Sequence, residues 1–417
     1  MSRHQLSAII NIGTLATPKG HAAKAGDQQG EIVSLTDAYV LIENGLIKEI
    51  GTGQPDLAGI PQDHILDAGG HLVTPGLVDA HTHLVFGGWR AHELQQKLAG
   101  VPYLDILAAG GGILNTVDQT RKATEQELFD KAAKALDGMM ALGTTTVEAK
   151  SGYGLDLENE LKQLRVAKQL NEKHPVDVVS TLMAAHAVPS EYKDNRQAFL
   201  DLILHTIIPA VAQENLAEFC DVFCETGVFD VAESTAILQA AQAHGMTSKI
   251  HADEIDAIGG SELAGELRAI SAEHLITLQN SGIASLKQGG TIACLLPATS
   301  FYLGKPYARA QDLIAAGVPV AIASDFNPGS CPSYSLQFCM NLAAYNYRLS
   351  SEQVLTAVTL NAAAAIDRAD RVGSIEPGKL ADLVIWDAQE LDFLFYRFGS
   401  NLVKTVVKRG EVVVDTD

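Results

Sequence analysis

From about residue 75 to residue 367 the chain alternates short apolar runs with amphipathic helical stretches, and this repeat constrains the fold more than any other feature. Such alternation specifies βα units on a parallel sheet. Eight runs can be read, at 77–84, 144–148, 178–186, 219–225, 247–251, 270–274, 291–296 and 318–325. The stretches between them carry helix signals. Thr124 and Glu127 have the spacing of a capping box, Leu128, Ala132 and Leu136 line one face, and Gly143 supplies a stop. Eight βα units over ~250 to 300 residues fit a closed (β/α)8 barrel of the TIM type, which places a functional site at the carboxyl ends of its strands.

The two ends of the chain read differently. Short strands are expected at 7–11, 38–43, 46–50 and 64–67, with Asn44-Gly45 as a hairpin turn, and again at 381–386, 403–407 and 412–414, the last after Arg409-Gly410. The expected organisation is therefore an N-terminal β segment over 1–75, a barrel over 76–367 and a C-terminal β segment over 368–417. A length of 417 residues with 47% hydrophobic content supports a large core and a second, smaller domain.

A net charge of −20, from 30 basic against 50 acidic residues, repels nucleic-acid backbones and anionic membranes, and no local basic patch offsets it. No stretch approaches the ~20 apolar residues of a membrane span, and the first twelve residues lack the apolar core of a signal peptide, so a cytoplasmic location is expected. The 5 cysteines match neither a redox pair nor a zinc-finger spacing and read as buried free thiols.

The chemistry gathers at strand ends. His81 and His83 stand two apart on a strand, so both point to one side and can bind one ion. Roughly 0.4 such pairs are expected by chance in a chain with this histidine content, so context decides. That context is His251-Ala-Asp-Glu254 at the end of the fifth run, Glu273-His274 at the sixth and Ser324-Asp325 at the eighth. Three imidazoles and a carboxylate suit Zn²⁺ or a similar transition metal and leave a position open for water. The triple glycine at 110–112 lacks the Lys-Ser/Thr of a phosphate loop. Arg90 reads by itself as a surface charge or a ligand contact. Tyr153 and His186 read as packing residues or pocket residues.

Residues 73–83 (VTPGLVDAHTH) resemble the entry motif of the amidohydrolase superfamily, and the two β segments resemble the composite β-sandwich domain that such enzymes build from both chain ends. Two-metal members carry a carboxylated lysine at the fourth strand. Here that strand ends Phe223-Cys-Glu225, while Lys150 ends the second, so a single metal is expected, with Lys150 as a structural or supporting charge. Segments 87–93 (GGWRAHE), 109–113 (AGGGI), 148–154 (EAKSGYG), 184–189 (AAHAVP) and 325–330 (DFNPGS) narrow the similarity to the imidazolonepropionase family.

This resemblance implies one metal ion, zinc or iron, on His81, His83, His251 and Asp325. It implies substrate contacts from Arg90, Tyr103, Tyr153, His186, Glu254, Asn327, Gly329 and Ser330, and catalytic roles for Glu254 and His274. The implied reaction is hydrolysis of 4-imidazolone-5-propanoate, a small anionic heterocycle, in histidine degradation. The implied assembly is a homodimer. Arg90, with its planar fork, is the expected partner of the propionate arm. A cytosine or guanine type deaminase shares the HxH pair, the His-x-x-Glu and the final Asp, and is the rival reading. A catalytically dead relative acting as an interaction protein is another, although it usually lacks the metal ligands that are present here.

Overall fold

The computed structural model describes residues 5–101 and 111–416. Five strands come first: β1 (Ala8–Thr17), β2 (Val33–Glu43), β3 (Leu46–Thr52), β4 (Ile65–Asp67) and β5 (Leu72–Pro75). The barrel strands follow as β6 (Leu77–Asp79), β7 (Thr144–Lys150), β8 (Asp177–Ala185), β9 (Phe219–Cys224), β10 (Thr247–Ala252), β11 (Ser271–His274), β12 (Ile292–Leu295) and β13 (Val320–Ile322). The chain closes with β14 (Leu383–Trp386), β15 (Val403–Lys408) and β16 (Glu411–Asp415).

β6 to β13 pair in sequence order, every neighbour parallel, as the alternating pattern requires. The seam between first and last strand is joined beyond their regular ends. Thr82 bridges Phe326, the Asp325 amide donates to His81 O at 3.0 Å and the His83 amide donates to Phe326 O at 2.9 Å. Both strands are therefore shorter than the apolar runs that mark them. Past Asp79 and Ile322 the two segments leave the ladder and hydrogen-bond each other, and Asp325 takes a φ of 57°.

Helices cover the barrel from outside, several with local sequence control. Thr124, Asp230 and Ser350 each complete a capping box at a helix start. Helix Leu360–Ala365 packs with Val78, Phe219, Ile292 and Ala321 in one apolar cluster that seals the end of the barrel opposite the site.

The chain ends build one continuous sheet in the order β16-β15-β14-β5-β1-β2-β3, with β4 beside β1. Asn44-Gly45 and Arg409-Gly410 both turn with two positive φ angles, the requirement of a tight hairpin. β5 joins the two bodies: it lies in the sheet between β14 and β1, and one residue later the chain enters the barrel. That residue is Gly76, where a Cβ would stand 2.3 Å from Thr145 Oγ1, so only glycine permits the close crossing. No helix among the described residues is long and apolar enough to cross a membrane.

Candidate metal-binding active site

The site stands on a buried ionic layer inside the barrel. Lys150 Nζ lies 2.7 Å from Asp221 Oδ2 and 2.9 Å from Glu148 Oε2, and Lys249 Nζ lies 3.1 Å from Glu148 Oε1 and 3.5 Å from Glu273 Oε1. All five side chains are fully buried. Charges in such a place persist only when paired. Burial opposes ionisation of Asp221, but His251 and Lys150 outweigh it and hold its carboxyl well below the usual range.

Two of these carboxylates orient imidazoles above them. His81 Nδ1 is 2.8 Å from Glu273 Oε2, and His251 Nδ1 is 3.0 Å from Asp221 Oδ2. A carboxylate accepts hydrogen bonds, so Nδ1 of His81 is the protonated nitrogen and its Nε2 presents a lone pair. His81 Nε2 and His251 Nε2 are buried without a hydrogen-bond partner, an unfavourable state for polar atoms unless something else meets them. Ligating nitrogens of His81, His83 and His251 lie within 4.8 Å of one another, as do donor atoms of His81, His274 and Asp325. Asp325 Oδ1 is 3.4 Å from His81 Nε2 and 3.6 Å from His83 Nε2. Burial first, then neighbouring imidazoles and Lys150, keeps His81 and His83 well below the usual imidazole range, so both are neutral and fit for ligation. The donor set thus fits a transition-metal ion with three nitrogens and one oxygen.

Glu254 and His274 face this cluster from adjacent strand ends, with Glu254 Oε2 3.5 Å from His274 Nε2. Among the described residues no lysine or arginine pairs with Glu254, and burial, followed by the Asp325 charge, pushes it up to about 8. Its loop is fixed by Glu225, whose carboxylate accepts the amides of Ile255 at 2.9 Å and Asp256 at 3.0 Å. Asp253, His274 and Asp325 have positive φ of 53°, 69° and 57°, strained geometry that clusters at functional sites.

On the opposite wall His186 stacks on His83 with ring centroids 4.8 Å apart at 15°. Its Nδ1 donates to Gly152 O at 3.1 Å, which leaves Nε2 as the acceptor of a neutral ring. Tyr153 is buried 5.8 Å from His83 and 5.3 Å from His186, centroid to centroid. Asn327, Gly329 and Ser330 form a tight loop after Asp325: Asn327 Nδ2 donates to Asp325 O at 2.7 Å, and Asn327 Oδ1 accepts the amides of Gly329 and Ser330 at 2.8 and 2.7 Å.

Arg90 reaches this loop, since a Cβ on Gly329 would stand 2.2 Å from Arg90 Nη1. Its fork, however, is committed. Nε and Nη2 donate to the two oxygens of Glu93 at 2.8 and 2.9 Å, so the edge expected to grip a carboxylate already holds one. Tyr103 lies outside the described residues. Asp221, Glu225, Lys249, Glu93 and Lys97 were absent from the sequence-based site. Lys249 had a signal, standing two residues before His251 and so on the same side of the strand, and Glu148 stands likewise before Lys150. All five cysteines are buried free thiols, Cys331 included.

With this geometry in view, likeness to known proteins can be weighed. Residues 72–413 match the Amidohydrolase family. The chain is 48% identical over 412 residues to the imidazolonepropionase of Alkaliphilus metalliredigens, covering 98% of this chain and 97% of that protein. It is 50% identical over 393 residues to the imidazolonepropionase of Streptococcus pyogenes serotype M6, covering 94% and 93%. Among solved structures, E. coli guanine deaminase superposes with a TM-score of 0.75 at 15% identity, covering 99% of this chain and 100% of that one. The 5-methylcytosine deaminase of Klebsiella pneumoniae gives 0.73 at 18%, covering 98% of each. At such identities the deaminases share the fold.

Proposed function

The chain belongs to the amidohydrolase family and, within it, to the imidazolonepropionases, and from that premise we propose how its residues open the ring of 4-imidazolone-5-propanoate. The observation that carries the reading is the pair of orphaned, buried imidazole nitrogens on His81 and His251, set beside His83 and Asp325, with the Glu254–His274 pair next to them. One metal ion per chain, zinc before iron, would be held by His81, His83, His251 and Asp325. When bound, such an ion acidifies water and polarises a carbonyl.

The chain's own residues do the rest. Glu254 takes a proton from the attacking water and delivers it to the ring nitrogen as the carbon–nitrogen bond breaks. Water's oxygen ends on the acyl carbon, its hydrogen on the leaving nitrogen, and the product is N-formimidoyl-L-glutamate. His274, kept neutral by burial, hydrogen-bonds the oxygen that gains charge at the acyl carbon. Tyr153, His186 and Asn327 wall the ring, Gly329 and Ser330 contact the substrate from the loop after Asp325, the outer edge of Arg90 faces the propionate, and Tyr103 is a further substrate contact implied by the family resemblance. A homodimer in the cytoplasm completes the reading.

The test is to supply purified protein with freshly generated imidazolone propanoate and follow ring absorbance together with ammonia. Loss of absorbance without ammonia is expected. Ammonia released in step with turnover would move the chain to the deaminases, and no reaction at all would remove the substrate assignment.

A further inference from the structure

The Arg90–Glu93 pair poses a charge problem for the proposed function. An anionic substrate must enter a protein of net charge −20, yet the guanidinium meant to receive it is neutralised by a carboxylate gripping two of its nitrogens. Glu93 is held ionised: burial works against it, but Arg90, the Gly112 amide at 2.7 Å and Lys97 bring it down to about 2. Two unit charges locked together present little net field to an approaching anion.

Lys97 restores the balance. It comes from the short helix Leu94–Leu98, and its Nζ lies 3.1 Å from Glu93 Oε2 and 2.9 Å from the carbonyl oxygen of Gly329. Arg90, Lys97 and Glu93 therefore form a cluster with one net positive charge, packed against the loop that follows Asp325. An ammonium has three donors, and among the described residues Glu93 and Gly329 accept two of them, with the Tyr302 ring 5.7 Å away. Arg90 is 8% exposed and Lys97 19%, so the cluster is largely desolvated, where a charge acts more strongly than at an open surface.

Resting on the proposed function, we infer that Lys97 is a substrate-binding residue that, with the outer edge of Arg90, receives the carboxylate of the short acid arm. Glu93 is then an internal brace: it aims the guanidinium, and Lys97 supplies the surplus charge. A carboxylate arriving there meets two cations and one anion rather than a closed pair.

The experiment uses the full-length metal-loaded protein and four proteins: wild type, Lys97→Met, Lys97→Gln, and Lys168→Met as a charge control on an exposed helical position. KM and kcat for imidazolone propanoate are measured at low and high salt, and binding of imidazole-4-propionate is measured by calorimetry, so that Lys97 is judged even where no ring opening occurs. Loss of a charge-assisted contact predicts a KM and probe Kd raised about 10-fold or more in both Lys97 variants, kcat within about 2-fold, and a salt dependence of KM much weaker than in wild type. Lys168→Met should match wild type. Wild-type affinity in Lys97→Gln, which keeps a donor for Gly329 but no charge, would assign Lys97 to loop bracing and overturn the inference. So would unchanged affinity in Lys97→Met, or an equal loss in Lys168→Met. Failure of the wild type to open the ring while probe binding still depends on Lys97 would sink the functional reading and spare the cation.

Discussion

Beneath the histidines and above them the barrel puts buried carboxylates to opposite ends. Below, Asp221 and Glu273 are clamped by Lys150 and Lys249 and each touches the Nδ1 of one histidine. Above, among the described residues, the ion-pair partner of Glu254 is His274 at 3.5 Å, and burial with the Asp325 charge drives it up to about 8. A carboxylate beside a fixed cation stays ionised and holds geometry. One left beside another anion exchanges its proton near neutral pH, the property a proton shuttle needs. The difference lies in where the lysines are.

The comparison is tested most severely at Glu254. Glu254→Gln should retain its metal by elemental analysis and lose about 10² to 10⁴ in kcat, the usual contribution of a positioned acid-base group. Near-normal turnover would end the contrast between the two layers.

The same residue sharpens the comparison through pH. In the proposed mechanism Glu254 must be ionised to accept water's proton, so activity should rise with pH as it deprotonates. Its raised pKa puts that acid limb above the ordinary carboxylate value of ~4.3, with about 8 as the upper bound, since a bound cation offsets part of the Asp325 charge. The limb should appear in kcat/KM of the wild type and vanish from the residual rate of Glu254→Gln. A limb at an ordinary carboxylate value would show that burial does not tune this group.

Lys150→Met probes the lower layer. It leaves Glu148 and Asp221 facing each other with one cation fewer, and breaking a buried pair costs on the order of 3 to 5 kcal/mol. Asp221 then holds His251 less firmly, and loss of such outer support weakens metal binding by roughly 10 to 100-fold. Competition with a chelator reads the second effect and denaturant unfolding the first. Adding Asp221→Asn should recover part of the stability and none of the metal affinity. Unchanged metal affinity in Lys150→Met would make the layer a packing device only.

Why one layer was legible in the sequence and the other was not follows from range. Capping boxes, hairpin turns and the HxH pair are set by residues within a few positions, and the βα alternation by periodicity, so strands and candidate ligands could be placed directly. The partners of Lys150 and Lys249 lie on other strands. Asp221 is 71 residues from Lys150, and Glu273 is 192 from His81, so only the closed barrel brings them together. The same limit hid the state of Arg90. Its fork suggested a carboxylate ligand, and the carboxylate proved to be Glu93, three residues away on the next turn.

The smallest effect is expected at Gly329, the proposed meeting point of the upper layer and the substrate arm. An alanine Cβ there would lie 2.2 Å from Arg90 Nη1 and 3.0 Å from its Cζ, and the guanidinium sits at the end of a flexible side chain, so the arginine rather than the backbone should yield. Gly329 is not among the residues of positive φ, so alanine meets no backbone penalty and the fold should hold. Displacing Nη1 weakens one charge-assisted contact, about 1.5 kcal/mol at the lower end of the range, which corresponds to about 10-fold in KM. Metal content and the acid limb should not move, because Gly329 touches neither Glu254 nor the lysine layer. A ring lacking the acid arm should show no difference between Gly329→Ala and wild type, since neither has a carboxylate to hold. If kcat falls with KM unchanged, or if the armless ring suffers equally, the loop shapes the reacting centre itself. The division between an upper layer that binds and moves protons and a lower layer that fixes the histidines would then have to be redrawn around Asn327 and Asp325.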